Sequence, residues 1–463
     1  AVRYIDKKAL ILRIEKCKKN LRMEKFEIDF TDKEITPWGG ISLMRQMLQK
    51  MDIERVLAKI SLPEQGSNRG YSPIQLILNF WVGIWCGANR FEHLEVTRQD
   101  EVIKDIFSWE RMPGSKSFQR YFQKFNQATN ERVFDRLYGW FFDNLYFDNY
   151  TLDFDSTVMT RYGEQEGAKR GYNPQKKGRK QHHPLLAFIS DIKMIANLWL
   201  RAGNTGAATN FFGFLEDTLS KLQDKRVGLI RCDSGFYGKD IFEYLEGNNP
   251  KKATYPYIIA AKFYLPLKRK LAGHHPWLVL DEGLEIGEST YQAEDWDKPR
   301  RIIMIRQEIT KRPKAVGKQL RLFEEETIYK NYRYSCYVTN LDLPTKTVYD
   351  LYRGRCDSEN RIKEIKYDFG GDSFNVRDFW ATEAALNFVM MAYNLMSLFR
   401  QVILGGQSQP FLKTIRYRAF AIGAYFIKDG NSRILKLSLA MKRRAWFMGL
   451  WNKSSAFEWP FSP

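Results

Sequence analysis

The sequence predicts an α/β protein: a ribonuclease H-like core, interrupted by a β-rich insertion and flanked by helical N-terminal and C-terminal regions. Three observations carry that expectation. Tyr150–Met159 alternates apolar and polar residues with a period of two, as a half-buried strand does, and two more strand-like runs follow at Pro184–Ser190 and Met194–Arg201. A helical pattern near 206–222, a strand at Val227–Asp233, a helix at Lys239–Glu246 and a strand at Tyr257–Ala261 come next. Three consecutive strands, then helix, strand, helix, strand, is the element order of such a core. Finally, 262–347 is rich in β formers and turns, and helical spacing returns only after it.

Composition narrows the classes. The chain has 463 residues, long enough for two to four domains, and 44% hydrophobic with 15% aromatic residues is too apolar for a disordered chain. Lysine and arginine number 73 against 54 acids, a formal charge of +19, which implies a polyanionic partner. The most apolar stretches, Leu76–Cys86 and Phe388–Phe399, fall short of the roughly 20 residues that span a bilayer, so nucleic acid is the expected partner and no membrane is. Residues 1–25 carry no secretory pattern, and the five cysteines are odd in number, scattered and without a C-x-x-C pair. A soluble, cytoplasmic setting is expected.

Taken in order, residues 1–24 form a basic extension and 25–149 a helical DNA-binding region, with helical spacing at Gly39–Met51, Ile53–Ile60, Pro73–Cys86 and Glu101–Phe107. A Pro-Gly-Ser turn at 113–115 launches Lys116–Phe125, which carries Lys116, Arg120 and Lys124 beside Phe118, Tyr121 and Phe122. This is either a recognition helix or an ordinary amphipathic helix of a bundle. Residues 150–261 are the first part of the core. The insertion, 262–347, has strands at Trp277–Leu280, Glu285–Gln292, Arg300–Arg306 and Tyr332–Asn340, with a basic loop at Lys311–Gln319. The second part of the core, 348–405, and a C-terminal region, 406–463, read as helical.

The chemistry concentrates in the stretch from Tyr352 to Lys366. On one continuous helix Arg355, Glu359 and Lys366 project at roughly 300°, 340° and 320° from Tyr352, a single stripe of one carboxylate between cations and a phenol. Asp357, Glu364 and Asp368 project at about 140°, 120° and 160°, away from it. The stripe is either a solvated face of weak ion pairs or part of a site acting on phosphate. Two more acids stand at strand ends: Asp155, followed by Ser156-Thr157, and Asp233, followed by Ser-Gly-Phe-Tyr-Gly. A rigid strand opening into a loop gives a side chain both position and access, although Asp also starts ordinary turns there. Asp153 shares a strand face with Asp155, and periodicity does not choose between them. Acids converging in a basic protein repel one another unless cations lie between them. Magnesium prefers oxygen ligands, and two such ions roughly 3.5–4 Å apart serve phosphodiester transfer; manganese can substitute.

The spacing Y-x2-R-x3-E-x6-K at Tyr352, Arg355, Glu359 and Lys366 resembles the signature of bacterial insertion-sequence DDE transposases of the insertion-sequence-four superfamily. Leu152-Asp-Phe-Asp-Ser-Thr, Gly163–Tyr172, His183-Pro-Leu-Leu, Asp233-Ser-Gly-Phe and Asp378–Leu398 resemble its thirteen-eighty branch, so the similarity runs from about Phe26 to Arg400. It implies Asp155, rather than Asp153, as the first catalytic and metal-binding acid, because a small hydroxyl residue follows it. Asp233 is then the second and Glu359 the third. Cys232 stands where a smaller residue is usual. The resemblance also implies a β-rich insertion before the last acid, phosphate contacts from Tyr352, Arg355 and Lys366, and cut-and-paste transposition through a hairpin intermediate, in a bacterial cell and on its nucleoid.

Six cations without an acid, Lys169, Arg170, Lys176, Lys177, Arg179 and Lys180, lie between the first two strands. They are candidate contacts to double-stranded DNA, at transposon ends or target, unless they are a plain solvated loop. Trp277 and Trp296 are candidates to stack on an extruded base, against the ordinary fate of tryptophan in a core. A homodimer on DNA follows from the task of holding two ends. Two rivals stand beside this reading: a domesticated protein that binds DNA without cutting, and a carboxylate-pair glycoside hydrolase, which would need neither the charge nor the stripe.

Overall fold

The structure is a computed structural model that describes residues 27–67, 69–173, 176–273, 276–309, 327–329, 332–406 and 409–461. The chain divides into two units, Ala1–Glu34 and Ile35–Pro463. In the first, 27–34 are exposed and form neither helix nor strand. The basic extension expected at 1–24 and the loop Lys311–Gln319 lie outside the described residues.

Fifteen strands are described: β1 (Tyr150–Ser156), β2 (Met159–Thr160), β3 (Lys169–Arg170), β4 (Lys180–His182), β5 (Leu185–Ile189), β6 (Met194–Trp199), β7 (Val227–Cys232), β8 (Tyr257–Ala260), β9 (Leu278–Asp281), β10 (Leu284–Tyr291), β11 (Arg300–Glu308), β12 (Thr327–Tyr329), β13 (Tyr332–Thr339), β14 (Ala424–Asp429) and β15 (Ser432–Leu437). Ten of them make one mixed sheet in the order β6-β5-β1-β7-β8-β13-β11-β10-β9, with β12 paired to β13. In that sheet β1 runs antiparallel to β5 and parallel to β7, and β7 runs parallel to β8. The helices Phe211–Leu222 and Lys239–Leu245 follow β6 and β7 in the chain. The four insertion strands expected from the sequence all form, but they do not make a separate layer. Antiparallel pairing of β13 with β8 continues the main sheet straight into them. A helix that the β-rich pattern concealed, Leu265–Ala272, opens the insertion.

The N-terminal helices form close to where spacing put them. Pro73–Cys86 has the local signals of both ends: the Ser72 hydroxyl accepts from the Gln75 N–H at 3.1 Å, Pro73 takes the first turn, and Gly87 closes the helix at φ +117°. Its tryptophans face Phe379–Phe399, where the indoles of Trp81 and Trp85 donate to the Phe388 and Ala392 carbonyls at 2.9 and 3.1 Å. That 21-residue helix is buried along nearly its whole length. On another side Asn394 bridges to β6, accepting from the Ile195 N–H and donating to its carbonyl, both at 2.8 Å. One apolar helix therefore locks the N-terminal helices onto the sheet. The helix Ser115–Phe122 turns Phe118, Tyr121 and Phe122 into that core and leaves Lys116 and Arg120 at the surface.

The C-terminal region departs from the helical expectation. After a short helix, Leu412–Ile415, β14 and β15 form an antiparallel hairpin through Gly430 at φ +57°, before the helix Met441–Ala456. Gly430-Asn431 between two half-apolar runs is a two-residue hairpin loop, and it prevails here over the helical spacing around it. No helix among the described residues is long and apolar enough to cross a membrane.

Candidate active site

The site forms where two neighbouring parallel strands end together. Register pairs Asp153 with Arg231 and Phe154 with Cys232 across β1 and β7, so the next position brings Asp155 opposite Asp233. Neighbouring strands lie about 4.8 Å apart, which holds the two carboxyl groups within one small volume. Each is fixed by its own turn: Asp155 accepts from the Ser156 N–H at 2.8 Å, and Asp233 from the Gly235 N–H at 3.0 Å.

Asp153 and Asp155 differ in what each touches. Asp153 is 1% exposed and bound at both oxygens by Arg231, Nε to Oδ1 at 2.6 Å and Nη2 to Oδ2 at 2.7 Å. The Ser358 hydroxyl also donates to it. Three donors from buried side chains thus hold both of its oxygens in place. Asp155 stays partly open, and besides the Ser156 N–H it faces the Arg355 guanidinium at 3.4 Å.

The stripe expected on one helix lies on two. Thr345–Arg353 ends at Gly354 and Arg355–Tyr367 begins directly after it. Glycine is required there by space: a Cβ would stand 2.8 Å from Arg231 Nη1. The second helix runs beside the end of β1. Arg355 Nη1 binds Glu359 Oε1 at 2.6 Å while Nη2 faces Asp155, and Lys366 Nζ donates to the Val158 carbonyl at 2.7 Å and lies 3.3 Å from the Thr157 hydroxyl. Arg355 thus joins the acid of the helix to the acid of the strand. The acids that project away from the stripe are occupied elsewhere: Glu364 is buried against Arg400 and Arg361, and Asp357 pairs with Lys193.

Electrostatics mark these acids as a group. Burial pushes the Asp155 carboxyl up to about 7; Arg355 opposes the rise, while Asp233 and Glu359 add to it by repulsion. Asp233 is likewise raised by burial, and Arg355, Lys262 and His183 pull it back. Lys262 was not singled out from the sequence. Its signal was topological, since it follows the end of β8, the third parallel strand. His183 lines the cleft with Nδ1 2.7 Å from the Thr205 carbonyl, whereas His182 is fully buried against Arg161.

Other expected contacts are sorted by their surroundings. Tyr352 is buried, its ring tilted 31° to that of Tyr337 at 4.0 Å, with its hydroxyl donating to the Cys232 carbonyl at 3.3 Å. It braces the strand end that carries Asp233 and offers no open hydroxyl to a phosphate. Trp296 is 5% exposed, walled by Phe242 and Tyr291 with Arg300 over its ring, so the expected base-stacking face is taken by the core. Trp277 is half-buried against Tyr334 and Arg306. Of the basic run, Lys169, Arg170, Lys176, Lys177 and Arg179 are exposed on or beside a small sheet in the order β2-β4-β3; Lys180 is half-buried and paired with Glu164 at 2.6 Å.

Among the described residues no three acids, histidines or cysteines stand close enough to chelate one ion as they are. The Arg355 guanidinium is the counter-charge in this arrangement. The donor set nonetheless suits a hard divalent cation: it is all carboxylate oxygen, and burial together with repulsion from Asp233 and Glu359 raises Asp155, a cost that added positive charge lowers.

The family model described as "Transposase DDE domain group 1" matches residues 18–455. Among solved structures, "Cryo-EM structure of piggyBac transposase synaptic complex with hairpin DNA" is similar at 11% identity and a TM-score of 0.45, covering 84% of this chain and 82% of that one. No curated protein sequence matches the chain.

Proposed function

This chain belongs to the DDE transposase domain family, group 1, and from that premise we propose that it cuts and joins DNA at the ends of a mobile element. Asp155, Asp233 and Glu359 are the catalytic acids in this reading, on a ribonuclease H-like core. The observation that carries it is the opposition of Asp155 and Asp233 at the ends of adjacent parallel strands, with Glu359 tied to Asp155 through Arg355. The strand order β6-β5-β1-β7-β8, antiparallel on one side of β1 and parallel on the other, supports that core. The Y-x2-R-x3-E-x6-K spacing supports the insertion-sequence-four superfamily and its thirteen-eighty branch.

The three carboxylates would hold two divalent ions, magnesium or manganese. When bound, these supply Lewis-acid stabilisation of the charge that develops at phosphorus. The chain itself supplies position and charge. Asp155 and Asp233 are fixed by backbone N–H groups, so little is spent on ordering them in the reaction. The Nε of Arg355 is buried without a hydrogen-bond partner among the described residues, and the guanidinium is the group best able to pass from the acids to a phosphate oxygen. Lys366 holds the turn after Asp155 through Val158. Hydrolysis at the element's end frees a 3′-hydroxyl. That hydroxyl attacks the opposite strand to give a hairpin, and the same acids serve each in-line displacement. Two copies act together, one per end.

The test is incubation with end-labelled linear DNA carrying the element's terminal repeat, with magnesium and with a chelator. Magnesium-dependent release of the end supports the reading. Binding of the end with no cut in any divalent metal makes this a DNA-binding protein, and cutting that survives chelation removes the metal from the account.

A further inference from the structure

An open sheet has two outer strands, and each exposes a row of N–H and C=O groups that can pair with another strand. The two ends of the main sheet differ in how that row is covered. At β6 the outward backbone is closed by side chains. Asn394 bonds both the N–H and the carbonyl of Ile195 at 2.8 Å, and Glu383 accepts from the Leu200 N–H at 2.8 Å. At β9, the other end, neither a strand nor a capping side chain meets the outer backbone among the described residues.

The side chains sharpen the contrast. The smaller sheets guard outer strands with exposed cations, Lys169 and Arg170 on β3 and Arg433 and Lys436 on β15. Strand β9 has no lysine and no proline, and it presents Leu278 and Val279, 62% and 66% exposed. Successive residues point to opposite faces, so the bare edge is apolar on both.

This edge is complementary to a second copy of itself. Antiparallel pairing about a two-fold axis at Val279 sets Leu278 opposite the partner's Leu280 on one face of the sheet. The two Val279 side chains then meet on the other face. The ends also match in charge. Exposed Asp281 and Glu282 close the strand, while the helix Leu265–Ala272, five residues upstream of it, carries exposed Lys268 and Arg269. Reversal of direction across the axis turns the acidic end of each copy toward the basic start of the other. Exposed Tyr264 and Leu265 add apolar surface at that start.

We propose that β9 docks a second copy of this chain edge to edge, which joins two main sheets into one. The proposal rests on the reading above, in which two copies act together, and names the surface that unites them.

The full-length Val279→Cys protein is treated with a mild oxidant beside the parent, which controls for the native cysteines. The expected result is a covalent dimer in the variant alone, with the disulfide mapped by mass spectrometry to residue 279 of both chains. Val279→Lys changes an exposed position, so its urea midpoint should match the parent's. It should weaken self-association at least about tenfold in sedimentation equilibrium, because like charges then face each other across the axis. A monomeric parent, no cross-link at 279, or self-association unchanged in Val279→Lys overturns the proposal. Magnesium-dependent release of a labelled DNA end by the parent is scored separately. Release without the cross-link removes only the β9 surface, whereas a cross-linked dimer that never releases an end keeps β9 and removes the cutting reading.

Discussion

Asp153 and Asp155 lie two residues apart on one strand, yet their replacement by alanine should have opposite consequences. Asp153→Ala leaves Arg231 buried, 4% exposed, without its charged partner. The cost of breaking such a buried pair is about 3–5 kcal/mol. Against the roughly 5–15 kcal/mol that holds a typical domain folded, that is a large share of the total. Asp155→Ala instead removes a carboxyl that burial and its acidic neighbours disfavour, while Arg355 keeps Glu359, so stability should change by no more than about 1 kcal/mol. Urea unfolding at neutral pH, followed by circular dichroism, reads both. A repair variant isolates the cause: Asp153→Leu with Arg231→Met removes both charges and should recover most of the loss, because an apolar pair of similar volume is no worse than a buried ion pair. If Asp153→Ala unfolds at the urea concentration of the parent, or the double replacement is worse than the single, Asp153 is not the structural acid described here. The same reasoning makes Asp153→Ala a poor active control in a cleavage assay; Asp153→Asn, which keeps an acceptor for Arg231, is the better choice.

Three further outcomes are expected. Burial pushes the Glu383 carboxyl up to about 7, so the folded chain keeps a proton the unfolded chain releases; stability present at low pH should decline by on the order of 3 kcal/mol as pH rises from about 4.5 to about 7, and Glu383→Gln should flatten that slope in thermal melts. Trp296→Ala should lower stability by about 3–5 kcal/mol, while DNA affinity of the protein that remains folded is unchanged in filter binding; weakened affinity at full stability would return Trp296 to the DNA interface. Replacing Lys176, Lys177 and Arg179 by alanine should reduce the slope of log affinity against log salt by about 0.9 for each phosphate no longer neutralised, and an unchanged slope would make them a solvated loop.

Features governed by local periodicity were legible in the sequence. Alternation over 150–159 marks β1, and the cap-and-glycine ends of Pro73–Cys86 mark that helix almost to the residue. Angular position on a helix separates Glu359 from Glu364 and Asp357 correctly, even though Gly354 divides the helix, because the break leaves both helices nearly continuous in phase at αR angles. What stayed hidden depends on packing between distant segments. Asp153 and Asp155 share a periodicity, and only the pairing of β1 with β7 sets Arg231 against the first. Tyr352 and Trp296 look like surface ligands in a motif and an insertion, but packing against Tyr337 and Phe242 buries them. The hairpin at 424–437 was hidden for another reason: basic and aromatic residues there satisfy a helical pattern, and the Gly430-Asn431 turn that decides the matter spans two residues.

The most direct test of the central claim is a single-turnover cleavage rate on terminal-repeat DNA for Asp155→Asn, Asp233→Asn, Glu359→Gln and the triple variant. If the three acids work as one unit, each single change should cost at least about 10³-fold, and the triple variant should be little worse than the worst single one. An Asp155→Asn protein that cuts at close to the parent rate, or losses that multiply across the three positions, would contradict the account.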